Sequence, residues 1–195
     1  MDTITPKKMV INFFILLFIM AFIGAFTSIF GADNNLIGVT AITAILMFLG
    51  RDIGYRTKES VLITIFLFTF IGIITSVSRH LNLVFVFVIS LVSIFIIMYL
   101  TFQPHIDFKL YLPFMLLYVF LDGNPVKGSY APRIIGCIVA GILIALTMYL
   151  TTKKKEEKSE LSIKHLIEDK IDVHSDRFIF SIKMAIGISI AIIIG

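Results

Sequence analysis

Apolar residues in this chain come in long blocks, and short charged or turn-forming stretches separate one block from the next. A run of roughly 17–25 apolar residues can cross the hydrocarbon core of a bilayer as a helix. A helix also satisfies its own backbone there, where no water is present to do so. Composition agrees with a bilayer as solvent. Only 15% of the 195 residues are charged, 58% are apolar, and the mean hydropathy is +0.99. A soluble domain carries about 25% charged residues, so this chain has too little polar surface to cover a water-soluble core.

The first block is Met9–Phe30. The next five cover 35–50, 61–78, 81–100, 108–122 and 131–150. The fifth is the weakest, because it holds Lys109 and Pro113. A polar stretch, TTKKKEEKSELSIKHLIEDKIDVHSD, follows the sixth, and a final apolar run closes the sequence. The expected fold is all-α: a polytopic membrane helix bundle of six transmembrane helices (1–152), a cytoplasmic linker (153–176) and a seventh helix (177–195). A signal peptide is the competing reading of the first block, since Lys7 and Lys8 precede it and IFGAD follows. Its 22 apolar residues exceed the h-region of about 7–15 found in such peptides, which favours a retained span.

Basic residues orient the bundle, because Lys and Arg accumulate in cytoplasmic loops. In the six-span arrangement twelve lie on the side of the N-terminus: Lys7, Lys8, Arg51, Arg56, Lys58, Lys109 and six in the linker. Three, Arg79, Lys127 and Arg133, lie on the other side. The N-terminus and the linker are therefore expected in the cytoplasm, in a plasma (inner) membrane. The net charge of +4 follows from this asymmetry and does not point to nucleic acid.

Small residues four apart share a helix face and let neighbouring helices approach closely. Such pairs occur in the first span (Ala21 with Ala25, Gly24 with Ser28), the sixth (Gly136 with Ala140, Gly141 with Ala145) and the seventh (Ala185 with Ser189, Gly187 with Ala191). They serve either static packing or a sliding contact, and the pattern does not separate the two. Cys137, the single cysteine, reads as a small hydrophobe.

Soluble-enzyme chemistry finds no foothold. There is no phosphate-binding glycine loop, no HExxH and no GxSxG, and the four histidines stand far apart. No cofactor, metal or catalytic residue is expected, and the chain is not read as an enzyme. Three polar groups remain as candidates for a substrate path. The external loop LDGNPVKGSYAPR places Asp122 and Arg133 at its two ends, either as a structural pair or as a mouth for an anion. The loop GRDIGYRTKES carries Arg51, Arg56 and Lys58, which either obey the positive-inside rule or attract an organic anion. Lys183, six residues past Arg177, either snorkels to the interface or acts as an intramembrane cation. Arg79 and His80 read as loop residues. In the linker Ile163, Leu166, Ile167, Lys170 and Ile171 fall at helical spacing and suggest a short amphipathic helix.

The stretch GVTAITAILMFLGRDIGYRTKESVLITIFLFTFIGII resembles one common in the fusaric acid resistance-like family (FUSC), which includes aromatic acid exporters. Gly54, Arg56 and Gly72 match its Gly- and Arg-containing loop and the glycine-bearing span beyond. YAPRIIGCIVAGILIAL is similar to another of its patterns, with Arg133, Gly136 and Gly141 as the matching residues. The resemblance implies a bacterial inner-membrane exporter of organic, often aromatic, acids. It also implies two six-helix halves joined by a cytoplasmic region. Larger members carry a substantial helical domain where this chain has a short linker. In this light the seventh helix is expected to open a second half, so that Gly195 is not the natural end of a working unit; the alternative is a true seven-span protein. On the fragment reading the chain alone packs as six helices with a loosely held seventh and does not transport. The expected partners are the lipid bilayer, a small organic anion, and a second copy of the chain or a protein on the periplasmic side.

Two functional classes follow. One is a secondary exporter of small organic anions. The other is a non-transporting membrane scaffold or envelope-assembly component. Asp107 and Asp122 lie near interfaces and no acidic residue lies mid-span, so no proton relay is visible, which counts against the first.

Overall fold

The computed structural model describes residues 6–49, 51, 53–78, 81–104, 109–126, 128–152 and 173–194. Every regular element among them is helical. The helices are α1 (Pro6–Phe30), a 3₁₀ turn (Ala32–Asn34), α2 (Asn35–Met47), α3 (Thr57–Val77), α4 (Leu83–Thr101), α5 (Leu112–Gly123), α6 (Ala131–Thr152) and α7 (Asp176–Ile194). The amphipathic helix expected in the linker, and Arg79, His80 and Lys127, lie outside the described residues.

Five of these helices, α1, α3, α4, α6 and α7, are long and apolar enough to cross a membrane. Their outward faces are hydrophobic: Leu62 and Phe66 on α3, Val84 and Val88 on α4, Ile142 and Leu146 on α6, and Ile186 and Ile190 on α7 are all exposed. A contiguous apolar belt of this kind suits lipid rather than water. The chain is thus a helical, multi-pass membrane bundle.

The second and fifth blocks depart from expectation. The α2 helix has 13 residues and α5 has 12. At 1.5 Å per residue each is about 20 Å long or less, short of the roughly 30 Å hydrocarbon thickness. Neither is a full-length span by itself. Pro113 supplies part of the reason. It occupies the first turn of α5, where its missing N–H costs nothing, and so starts the helix late. The two short helices pack on each other and are flanked by α3 and α6. Their buried faces are thick with core residues: Ile37, Ala41 and Ala44 on α2, and Phe114, Leu117, Tyr118 and Leu121 on α5. Tyr118 ties α5 to α4 by donating to Ser90 Oγ at 3.1 Å.

Non-helical chain after α2 adds to the core. Phe48, Ile53 and Tyr55, between α2 and α3, are fully buried. The loop read as a cytoplasmic surface loop therefore turns its apolar residues into the bundle and leaves Arg51 and Arg56 exposed. Gly54 allows the reversal with φ of 85°.

Among the described residues the tightest approach is in the seam of α3 on α6. A Cβ on Gly72 would stand 2.9 Å from the Cys137 side chain. One on Gly141 would stand 3.1 Å from Phe68 Cβ and 3.2 Å from Ile65 Cα. The small-residue strips of the sixth span are thus both buried, together with Cys137. Among the described residues, those of the first span are left uncovered. Ala21, Gly24, Ala25 and Ser28 are exposed, and α1 meets α2 and α6 through Phe22, Phe26 and Phe30 instead.

The seventh helix corrects another expectation. It does not sit loosely. The α4–α7 pairing is among the most extensive in the molecule. Arg177, Ser181, Ala185 and Ser189 recur every fourth residue as one buried stripe, while Gly187 faces open space. Phe102 stacks on Phe180 with centroids 4.0 Å apart, and Phe95 meets Phe178 edge-on at 5.4 Å.

Candidate functional site

Two buried arginines mark opposite ends of the bundle. At one end the C-terminus of α1, the N-terminus of α2, the C-terminus of α5 and the N-terminus of α6 converge. Arg133, in the first turn of α6, is fully buried there. Its Nη1 donates to the Leu121 carbonyl at 3.0 Å, its Nη2 to the Asn124 carbonyl, and its Nε to Asn34 Oδ1 at 3.5 Å. Asn34 in turn donates to the Phe30 carbonyl at 2.8 Å, and Asn124 Nδ2 to the Asp33 carbonyl at 3.3 Å. The last carbonyls of a helix lack intrahelical donors and carry partial negative charge. A guanidinium placed on the end of α5 answers both needs. Asp122 lies half-buried between the two residues whose carbonyls Arg133 engages. The structure thus uses Arg133 as a clamp on helix ends.

At the other end the loop before α3, the C-terminus of α4, the C-terminus of α6 and the N-terminus of α7 meet. Arg177, in the first turn of α7, is 8% exposed. Its Nη2 donates to Gln103 Oε1 at 2.5 Å and its Nη1 to Tyr55 Oη at 3.4 Å. Its Cζ lies 5.9 Å from the centroid of the Tyr99 ring, within cation–π range. Gln103 is buried, and its Nε2 donates to the Ile53 carbonyl at 3.2 Å, which turns its oxygen toward Arg177. The phenol of Tyr55 and the amide of Gln103 are both uncharged partners for the guanidinium. Thr152 Oγ1 reaches the Arg51 carbonyl at 3.5 Å and joins α6 to the same end.

The remaining candidates divide around this cluster. Arg51, Arg56 and Lys58 are exposed on or beside the loop that supplies Tyr55. Lys183 does not join it. Six residues turn a helix by about 240° past a full turn, and Lys183 is exposed on the face away from the buried stripe. Reading the sequence alone missed Asn34, Tyr55, Tyr99 and Gln103. Gln103 and Tyr55 sit in segments that read as connections, and their only signal is a polar or amphipathic side chain close to the end of an apolar block.

This arrangement holds no paired acid and base. What it offers is a guanidinium at the rim of an apolar bundle, with only neutral partners among the described residues. Such a group suits recognition of an anion. Comparison with protein-family models, with curated proteins and with solved structures finds no match to this chain.

Proposed function

We propose that this protein is a membrane transport protein that exports small organic acids, aromatic ones among them, across the plasma membrane. The observation that carries the reading is Arg177, buried against Tyr55 and Gln103 at one end of an apolar bundle. A buried cation in a membrane protein is expensive and is a candidate for a functional role; Arg133 answers helix-end carbonyls, whereas the side chains that Arg177 meets are neutral. Three exposed cations, Arg51, Arg56 and Lys58, surround the same end and raise the local concentration of anions. The likeness of residues 38–74 to the fusaric acid resistance-like family supports organic acids as the cargo. The scaffold reading draws on a different feature: the phenylalanine-rich N-terminal half of α1, exposed among the described residues, which a partner helix could cover.

We place the Arg177 end in the cytoplasm and the Arg133 end outside. Hydrogen bonds bring the start of α2 to one end, and the loop that follows it to the other. A ring contact of Tyr111 with Phe180 and the hydrogen bond from Arg133 to the Leu121 carbonyl do the same for the start and end of α5. On this reading the chain passes from end to end in each of its helices. Single cysteines in a Cys137-free background test this. Position 129 should react with an impermeant reagent from outside intact cells, and position 159 only after lysis. The reverse pattern would invert the assignment.

Deletion tests the cargo. Cells lacking the protein should become more sensitive to a subset of a panel of aromatic and aliphatic organic acids. Unchanged sensitivity across the panel would favour the scaffold.

A further inference from the structure

We infer that Arg177, Tyr55 and Gln103 form a site for the carboxylate of a small organic anion, which takes over the guanidinium from its two neutral partners. The site rests on the transport reading and deepens it, by naming where the anion is first held. A guanidinium has five N–H donors in a planar fork. Two are engaged, by Gln103 Oε1 and Tyr55 Oη, and three have no acceptor among the described residues. The Tyr55 bond, at 3.4 Å, is long for a hydrogen bond and easily given up. A carboxylate matches the fork with two parallel charge-assisted bonds, each stronger than a bond to a neutral oxygen.

The surroundings favour exchange of partners over permanent pairing. Gln103 is held by the Ile53 carbonyl, so its oxygen keeps its place when Arg177 turns. Tyr55 stands on a short loop beside Gly54, whose φ of 85° is a glycine conformation. Tyr99 offers an aromatic face under the cation. Arg177 is buried but not completely so, with 8% of its surface exposed. The exposed Arg56 and Lys58 flank this end of the bundle. A lipid phosphate would satisfy the same cation, so the test must separate a free carboxylate from a headgroup.

The measurement is thermal unfolding of the full chain in neutral detergent, titrated with benzoate, with benzyl alcohol as the uncharged control, and separately with phosphatidylglycerol. Benzoate should raise the midpoint in a saturable way and benzyl alcohol should not. Arg177→Gln should weaken the benzoate response about tenfold or more, the loss expected for one charge-assisted bond or more. Tyr55→Phe should tighten it severalfold, because it frees one N–H from a competitor. An equal benzoate response in Arg177→Gln and the parent protein would overturn the site. If Arg177→Gln does not fold, Tyr55→Phe decides: a tighter response supports the site and an unchanged one overturns it. A response to phosphatidylglycerol alone, lost in Arg177→Gln, also overturns it by assigning the cation to lipid. The transport reading fails separately. Benzoate binding without movement across a membrane would leave the site and remove transport, whereas undiminished transport by Arg177→Gln would do the opposite.

Discussion

Replacing Arg133 with methionine destabilises the bundle by on the order of 3 kcal/mol or more, the sum expected for losing charge-assisted bonds and stranding their acceptors. The side chain is fully buried and holds the Leu121 and Asn124 carbonyls and the Asn34 amide. Methionine fills much of the volume but donates nothing. The carbonyls at the end of α5 then sit in protein with no donor. Four helix ends depend on this one network, so the loss spreads beyond α6. Arg133→Lys keeps the charge but has no planar fork to span acceptors that lie on two segments, and it should recover only part of the loss. The check is the unfolding midpoint in detergent together with the amount of protein in the membrane. A midpoint unchanged in Arg133→Met would show that the clamp does not hold the fold.

Gly141→Leu should be nearly as damaging, for a steric reason. A Cβ at this position already lies 3.2 Å from Ile65 Cα, which is backbone and cannot turn aside, and 3.1 Å from Phe68 Cβ. Larger side chains in a closed seam typically cost about 1–3 kcal/mol, and more when main chain must move. The α3–α6 pairing is the most extensive among the described helices, so separating it opens the core that α2 and α5 share with it. Gly24→Leu is the matched control. Nothing lies within 4 Å of a Cβ there, and α1 is exposed at that point. The same residue change should then be tolerated. Equal loss of folded protein in both variants would refute the seam.

Much of this architecture is legible in the sequence, and the limits have physical causes. Hydropathy finds α1, α3, α4, α6 and α7 because each is a long apolar run that must be helical in lipid. It overstates α2 and α5, because it registers apolar content and cannot tell helix from covered loop. Phe48 and Leu49 extend the second apolar block without extending its helix, which ends at Met47. Small-residue strips mark faces capable of close approach, but not which face is used. On α6 they pack on a neighbour, and on α1 they point away while the phenylalanines do the packing. The firm seat of α7 was not legible either. Its stripe of Ser181, Ala185 and Ser189 announces a partner, and only the three-dimensional arrangement identifies that partner as α4.

The two arginines show the same division. Both stand out in the sequence as cations at the edge of apolar blocks, yet their roles come from residues far along the chain. Arg133 meets Asn34 across 99 positions, and Arg177 meets Gln103 and Tyr55 across 74 and 122. Asp122 and Arg133 suggested a pair or a mouth. The geometry adds the carbonyls on either side of Asp122, a use of arginine that spacing alone does not reveal. Lys183 and Arg177 suggested a common group, and helical rotation separates them.

Transport of an organic anion through a bundle whose Arg177 end faces the cytoplasm is the central claim. Its most direct test uses protein purified from its own cells and reconstituted into sealed vesicles loaded with radiolabelled benzoate. Loss of label should be faster than from protein-free vesicles, should saturate with benzoate concentration, and should slow several-fold in vesicles carrying Arg177→Gln. Loss of label at the protein-free rate would contradict the account.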